Sequence, residues 1–191
     1  NFEIFNKWKI HITRRSEQIY KLTNLPLRDC SNEKLLIIGP RNVHELFIAW
    51  LYNFSWKNIN AIDLYSLHKK IKIMDMENMS YPKNSFDVIT SSSTISYGTD
   101  IKKIISEISR VLKDNGKFIF DLPYDPNSTY ELDKIPAKEI IKYLNKYNLS
   151  IYSYLSYDHL NMHSNIQTNR TFAVFKIVSL SFFSSQTLFV F

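Results

Sequence analysis

Residues 86–122 read FDVITSSSTISYGTDIKKIISEISRVLKDNGKFIFDL, and their pattern decides the fold. Phe86–Thr90 is a short apolar run of the kind that forms a buried strand, and it leads into Ser91-Ser92-Ser93. Ile101, Ile104, Ile105, Ile108, Val111 and Leu112 then recur at helical spacing and make one apolar stripe. Thr99 or Asp100 is placed to cap a helix over 99–113, and Asn115-Gly116 to stop it in a left-handed turn. Lys117–Leu122 is a further apolar strand. A strand, a helix and a strand in this order imply parallel pairing through a crossover helix.

The alternation continues on both sides. Upstream, Lys34–Ile38 is a buried-strand run ending at Gly39-Pro40. Val43, Leu46, Phe47, Trp50, Leu51 and Phe54 then predict a helix with one buried stripe. Asn42 is its N-cap, and Glu45 sits where a capping-box partner belongs. Asn58–Leu64 and Ile71–Met74 read as the second and third strands, and Met79–Asn84 as a turn. Downstream, Pro123–Lys134 is a polar loop, the longest candidate lid in the chain. Pro136 suits the first turn of a helix over 137–147, with Ile140, Ile141, Leu144 and Tyr147 on one side. Leu149–Tyr157 and Thr171–Ile177 are two more strands, joined by a polar linker over 158–170. The expected fold is α/β, a doubly wound and mostly parallel seven-stranded sheet with helices on both faces. Residues 1–33 read as an N-terminal helix and linker, 34–177 as the sheet-bearing domain, and 178–191 as an uncharged apolar tail packed on the protein or on a second subunit.

Composition narrows the function. A 191-residue chain with 45% hydrophobic and 22% charged residues has the make-up of one globular domain. With three glycines, it has neither a GxxxxGK[ST] phosphate loop nor a full GxGxxG fingerprint. Cys30 is the sole cysteine, which excludes an internal disulfide and a cysteine-based zinc site; it reads as an ordinary thiol in a connecting loop. No apolar run reaches the roughly 20 residues needed to span a bilayer. His159 and His163 are four apart but fall on a strand and hairpin, so no metal is expected. No charged-then-apolar leader opens the chain, and the cytoplasm is the expected compartment. The net charge is +6. Six basic and two acidic residues over 1–28 put +4 of it there. In that segment Phe5, Trp8, Ile12, Ile19 and Leu22 predict an amphipathic helix, expected to cover a ligand mouth. Nucleic acid is the less favoured partner for it.

In sheets of this class, ligands bind beyond the carboxyl ends of the strands, at the point where strand order reverses. The residues there are Gly39-Pro40-Arg41, Asp63-Leu64, Asp75-Met76 and Ser91-Ser92-Ser93. Gly39 lets the backbone turn closely against a ligand. Asp63, 24 positions on, is placed for a ribose diol. Asp75 is placed for an exocyclic amine, so the three together would hold a nucleoside.

LLIIGPRNVHE (35–45), NINAIDL (58–64), IKIMDMENMSYPKNSFDVI (71–89) and EISRVLKDNGKFIF (107–120) resemble motifs of the class I S-adenosylmethionine-dependent methyltransferases, of the methyltransferase 11 group. The first motif is a variant in which Gly39-Pro40-Arg41 replaces a glycine-rich turn. The resemblance implies that Gly39, with Pro40 and Arg41, approaches the methionine part of S-adenosylmethionine. It implies Asp63, with Leu64, on the ribose, Asp75 with the Met76 backbone on the adenine, and Ser91 near the sulfonium. The implied activity is methyl transfer to oxygen or nitrogen of a small or metabolic-intermediate acceptor. The alternative is a catalytically inactive partner or binding subunit of the same fold. Tyr97 and Asp121 fall on the acceptor side, where either would orient or deprotonate a hydroxyl or amine. Two features depart from the pattern. Ile37 stands where the family often has an acid. Only Tyr65–Lys70 separates the second and third strands, so the crossover helix is reduced to a turn and one wall of the adenine pocket is thin. A small-molecule acceptor is the expected partner, with a homodimer left open; the sequence names no particular acceptor.

Overall fold

The computed structural model describes residues 29–40, 42–160 and 166–177, with side chains at 157–160, 166 and 167 left aside. The expected N-terminal helix over 2–22, Arg41, His163 and the tail 178–191 lie outside the described residues.

The chain runs β1 (Leu35–Ile38), α1 (Val43–Leu51), β2 (Ile59–Asp63), β3 (Ile71–Ile73), β4 (Phe86–Ser91), α2 (Ile101–Val111), β5 (Leu112–Asp121), α3 (Ala137–Lys146), β6 (Leu149–Leu160) and β7 (Ile166–Lys176). These make one seven-stranded sheet in the order β3-β2-β1-β4-β5-β7-β6. The strands from β3 to β5 are parallel, and β7 joins β5 and β6 antiparallel. Strand order reverses between β1 and β4, which makes their junction the switch point.

Two cores follow from the period-2 alternation of the strands. Leu36, Ile38, Ile62, Ile89, Phe118 and Phe120 face one side and pack beneath α2 and α3. Leu35, Ile37, Ile59, Ala61, Val88 and Ile119 face the other, where α1 packs on them together with Cys30 and Phe54. On the α2 side Phe118, Phe120 and Phe172 stack at 4.5 and 4.9 Å between ring centres. Burying each such ring contributes about 1.5–3 kcal/mol. Lys176 reaches from β7 beneath α2 and donates to the Ser109 and Leu112 carbonyls at 2.9 and 2.8 Å. It therefore caps the negative end of that helix.

The α2 stripe is buried as its spacing predicts, and Asp100 is the N-cap, accepting from the Lys102 and Lys103 backbone. The α1 stripe is not as predicted. Leu46, Ile48 and Ala49 face the sheet, while Phe47 and Trp50 are half exposed and pair with each other and with Trp56. Ala49 lets the helix sit close on the sheet, and the larger rings are left outside. Asn115 carries the positive φ, 61°, but inside β5 rather than as a stop, because the chain passes from α2 straight into strand pairing at Leu112. The polar linker expected over 158–170 is mostly strand, since β6 and β7 pair as far as Leu160 and Ile166. Polar residues suffice there because backbone pairing needs no apolar side chain.

Candidate functional site

Register brings the strand ends together. Ile38 lies beside Ile62 on one side and Ser91 on the other, and Asp63 lies beside Ile73. Gly39 turns at φ 65° with its N–H donating to Ile62 O at 2.8 Å, and Met74 N donates to Asp63 O at 2.9 Å. Gly39, Asp63, Asp75 and Ser91 therefore rim one edge of the sheet, on both sides of the switch point.

Each has a distinct setting. Asp63 is half-buried, and its carboxylate accepts a long 3.4 Å bond from Tyr65 N. Burial pushes its carboxyl above the usual aspartate range, against the backbone N–H groups of Tyr65 and Leu64. Asp75 is exposed and closes a local turn by accepting from Glu77 N at 2.8 Å. The side chain of Met76 belongs to the α2-side core. Pro40 is buried, Leu64 is exposed, and Ser91 is buried with an Oγ that lacks a hydrogen-bond partner among the described residues. The link over 64–70 holds no helix, as its length predicts, and Leu64, Tyr65 and Leu67 are all exposed.

After β4, Tyr97 sits on a short 3-10 turn, exposed, with its ring edge-on to Tyr130 at 5.0 Å. Asp121 is 2% exposed. It accepts from Ser93 N at 3.1 Å and Ser93 Oγ at 2.6 Å, so it engages the loop after β4 rather than open space.

Three groups escaped the sequence reading. Arg170, buried on β7, donates to the Leu122, Pro123 and Ile135 carbonyls at 3.0, 2.8 and 2.7 Å and lies against the Tyr124 ring. The segment read as a lid is thereby fastened at both ends. Arg170 stands between polar Asn169 and Thr171, so nothing local in the sequence marks it. Glu77 accepts from the backbone of Thr99 and Asp100, tying the turn after β3 to the start of α2. Glu107 accepts from Met79 N and pairs with Arg110, whose hydrogen bond holds the Glu107 carboxyl below its usual range. Arg110 in turn donates to the Tyr81 and Met79 carbonyls. No group of three potential metal ligands occurs among the described residues, and no helix there is long and apolar enough to cross a membrane.

Residues 51–120 match the Methyltransferase domain family. The chain is 36% identical over 50 residues to an uncharacterized methyltransferase, YcgJ, of Bacillus subtilis, covering 26% of this chain and 20% of that protein. It is 37% identical over 65 residues to the sterol 4-C-methyltransferase strm-1 of Caenorhabditis elegans, covering 34% of this chain and 19% of that protein. The matched stretches thus span about one fifth of each of these relatives. The solved YcgJ structure superposes with a TM-score of 0.66 at 12% identity, over 85% of this chain and 99% of that one. Geranyl diphosphate C-methyltransferase from Streptomyces coelicolor, crystallised with S-adenosyl-L-homocysteine, gives 0.67 at 12% identity, over 85% of this chain and 79% of that one. The sheet order, its rim and these likenesses converge: the chain has the fold of the class I S-adenosylmethionine-dependent methyltransferases, and over residues 51–120 it matches their methyltransferase 11 group.

Proposed function

We propose that this chain is a methyltransferase that binds S-adenosylmethionine across the rim of β1, β2 and β3 and passes its methyl group to a small-molecule acceptor, through oxygen or nitrogen. The observation that carries the reading is Asp63, a half-buried carboxylate ending β2 in register with Gly39 and beside β3. A carboxylate kept there at a cost in solvation gains most from donors that it can pair with, and a ribose diol supplies two. Asp75 and the Met76 backbone then take the adenine, and Gly39 and Ser91 flank the methionine end.

Bound S-adenosylmethionine supplies an already activated methyl group, so the protein's part is to hold the acceptor in line with it. Tyr97 and Tyr130 stand where an acceptor would enter, and the Tyr97 hydroxyl is the group free to orient it. Asp121 is too enclosed for that role and serves the loop instead. Calorimetric titration with S-adenosylhomocysteine tests the reading: the parent should bind, and Asp63→Ala should bind at least about tenfold more weakly. A parent that takes up no cofactor at millimolar concentration would favour the non-catalytic alternative.

A further inference from the structure

The turn at Gly39 has an occupant of its own. A methyl group built on Gly39 would collide with the Thr94 side chain, including its Cβ at 2.6 Å. Thr94 Oγ1 lies 3.0 Å from Gly39 O and 3.2 Å from Ser92 O, and donates between them. Thr94 thus spans the switch point, filling the space beside Gly39 into which a side chain there would project. Its seat is set by its neighbour. Ser93 adopts φ 54°, a left-handed conformation that a non-glycine residue holds only when its surroundings impose it. Asp121 accepts from both the N–H and the hydroxyl of Ser93 in this conformation. On the same loop and strand end, the buried hydroxyls of Thr90, Ser91 and Ser96 lack hydrogen-bond partners among the described residues. Buried hydroxyls normally find partners, so this arrangement leaves the loop's polar groups less satisfied than they can be.

We propose that Thr94 is a plug in the cofactor crevice and that Asp121, acting through Ser93, is the positioning residue that seats it. The inference rests on the cofactor reading above. Cofactor entry then requires the 92–96 loop to lift from Gly39, and the measured affinity is reduced by the fraction of molecules that are open.

The test uses the full chain, S-adenosylhomocysteine as the probe, calorimetry for affinity and stopped-flow for association. Thr94→Ala removes the bulk and the hydroxyl together and should bind at least about threefold tighter and associate faster. Thr94→Val keeps the bulk without the hydrogen bond and should lie between parent and alanine variant. Asp121→Asn should move affinity in the same direction as Thr94→Ala, and Ser93→Ala replaces it if that variant does not fold. A purely structural role for these residues would lower denaturant stability with affinity unchanged or weakened, which overturns the plug while the cofactor reading stands. If neither the parent nor any variant binds at millimolar probe, the cofactor reading itself fails and the plug falls with it.

Discussion

Two loops at the same edge of the sheet behave oppositely. The one over 64–70 is short and joins adjacent parallel strands. The one over 122–135 is twice as long and rich in polar residues. Length alone would make the second the looser. Yet the short loop is held mostly by bonds between near neighbours, such as His68 N to Ser66 Oγ and Lys70 N to His68 Nδ1, with Lys70 Nζ reaching Trp56 O at 3.0 Å, and it exposes three large apolar residues. The long loop is fastened from across the sheet by Arg170 and contains buried Asp133, which accepts from Ser128 Oγ at 2.9 Å. What orders a loop is the number of bonds to distant, rigid elements, because only those oppose the entropy of the whole segment. The loop over 64–70 is thus largely locally built and open, and the loop over 122–135 is built from afar and closed.

The largest expected effect comes from cutting the long-range fastening. Arg170→Met should cost about 3 kcal/mol or more in urea unfolding, since three carbonyls lose a charged donor worth roughly 1.5–3 kcal/mol each. It should also speed amide exchange over 122–135. A loss below about 1 kcal/mol would erase the contrast between the loops.

Asp63→Ala comes next. It should lower cofactor affinity by at least about tenfold with little loss of stability. The sign for stability follows from burial, which raises the carboxyl's pKa in the folded state. Its ionisation then opposes folding, and stability is lost as pH rises from the ordinary aspartate value through the raised one. Asp63→Asn should remove that loss, while the parent's cofactor affinity should rise over the same interval as the carboxylate forms. Affinity that falls with rising pH there would exclude an ionised Asp63 from the ribose.

Glu107 sharpens the comparison at acid pH. Its pairing with Arg110 depresses its carboxyl, so its contribution is present above the ordinary glutamate range and is lost as pH falls through the depressed value. The pair is partly exposed, so Glu107→Gln should cost no more than about 1 kcal/mol at neutral pH and flatten the acid limb of the stability profile. Equal acid sensitivity in parent and variant would remove Glu107 as the group that pins the 79–81 turn.

The smallest effect is expected in the open loop. Leu67→Ser should change stability by less than about 0.5 kcal/mol, because the side chain is already exposed. A large loss in the same measurement would mean that this loop is covered by a surface not described here.

Much of the fold was legible in the sequence because its signals are local. The isoleucine stripe of α2, the apolar runs of β1 and β4 and the turn at Gly39 depend on spacing within a few residues, and all stand where predicted. The rim residues were legible for the same reason, since strand ends locate them once the topology is known. The α1 stripe was misread because an aromatic-rich helix carries two candidate faces, and periodicity does not say which meets the sheet. Arg170, Glu77 and the Ser93–Asp121 pair left no local trace, because their partners lie 22 to 48 residues away.

The sequence by itself determined the α/β class, the parallel core, the short crossover after β2 and the acids that end β2 and the turn after β3. Each is a matter of side-chain period or chain length. Only the tertiary structure decided that the long loop after β5 is clamped, that Asp121 bonds Ser93, and that Thr94 lies over Gly39. Those depend on which distant groups the sheet order brings within hydrogen-bond reach, and a bond of about 3 Å is set by three-dimensional placement rather than by position along the chain.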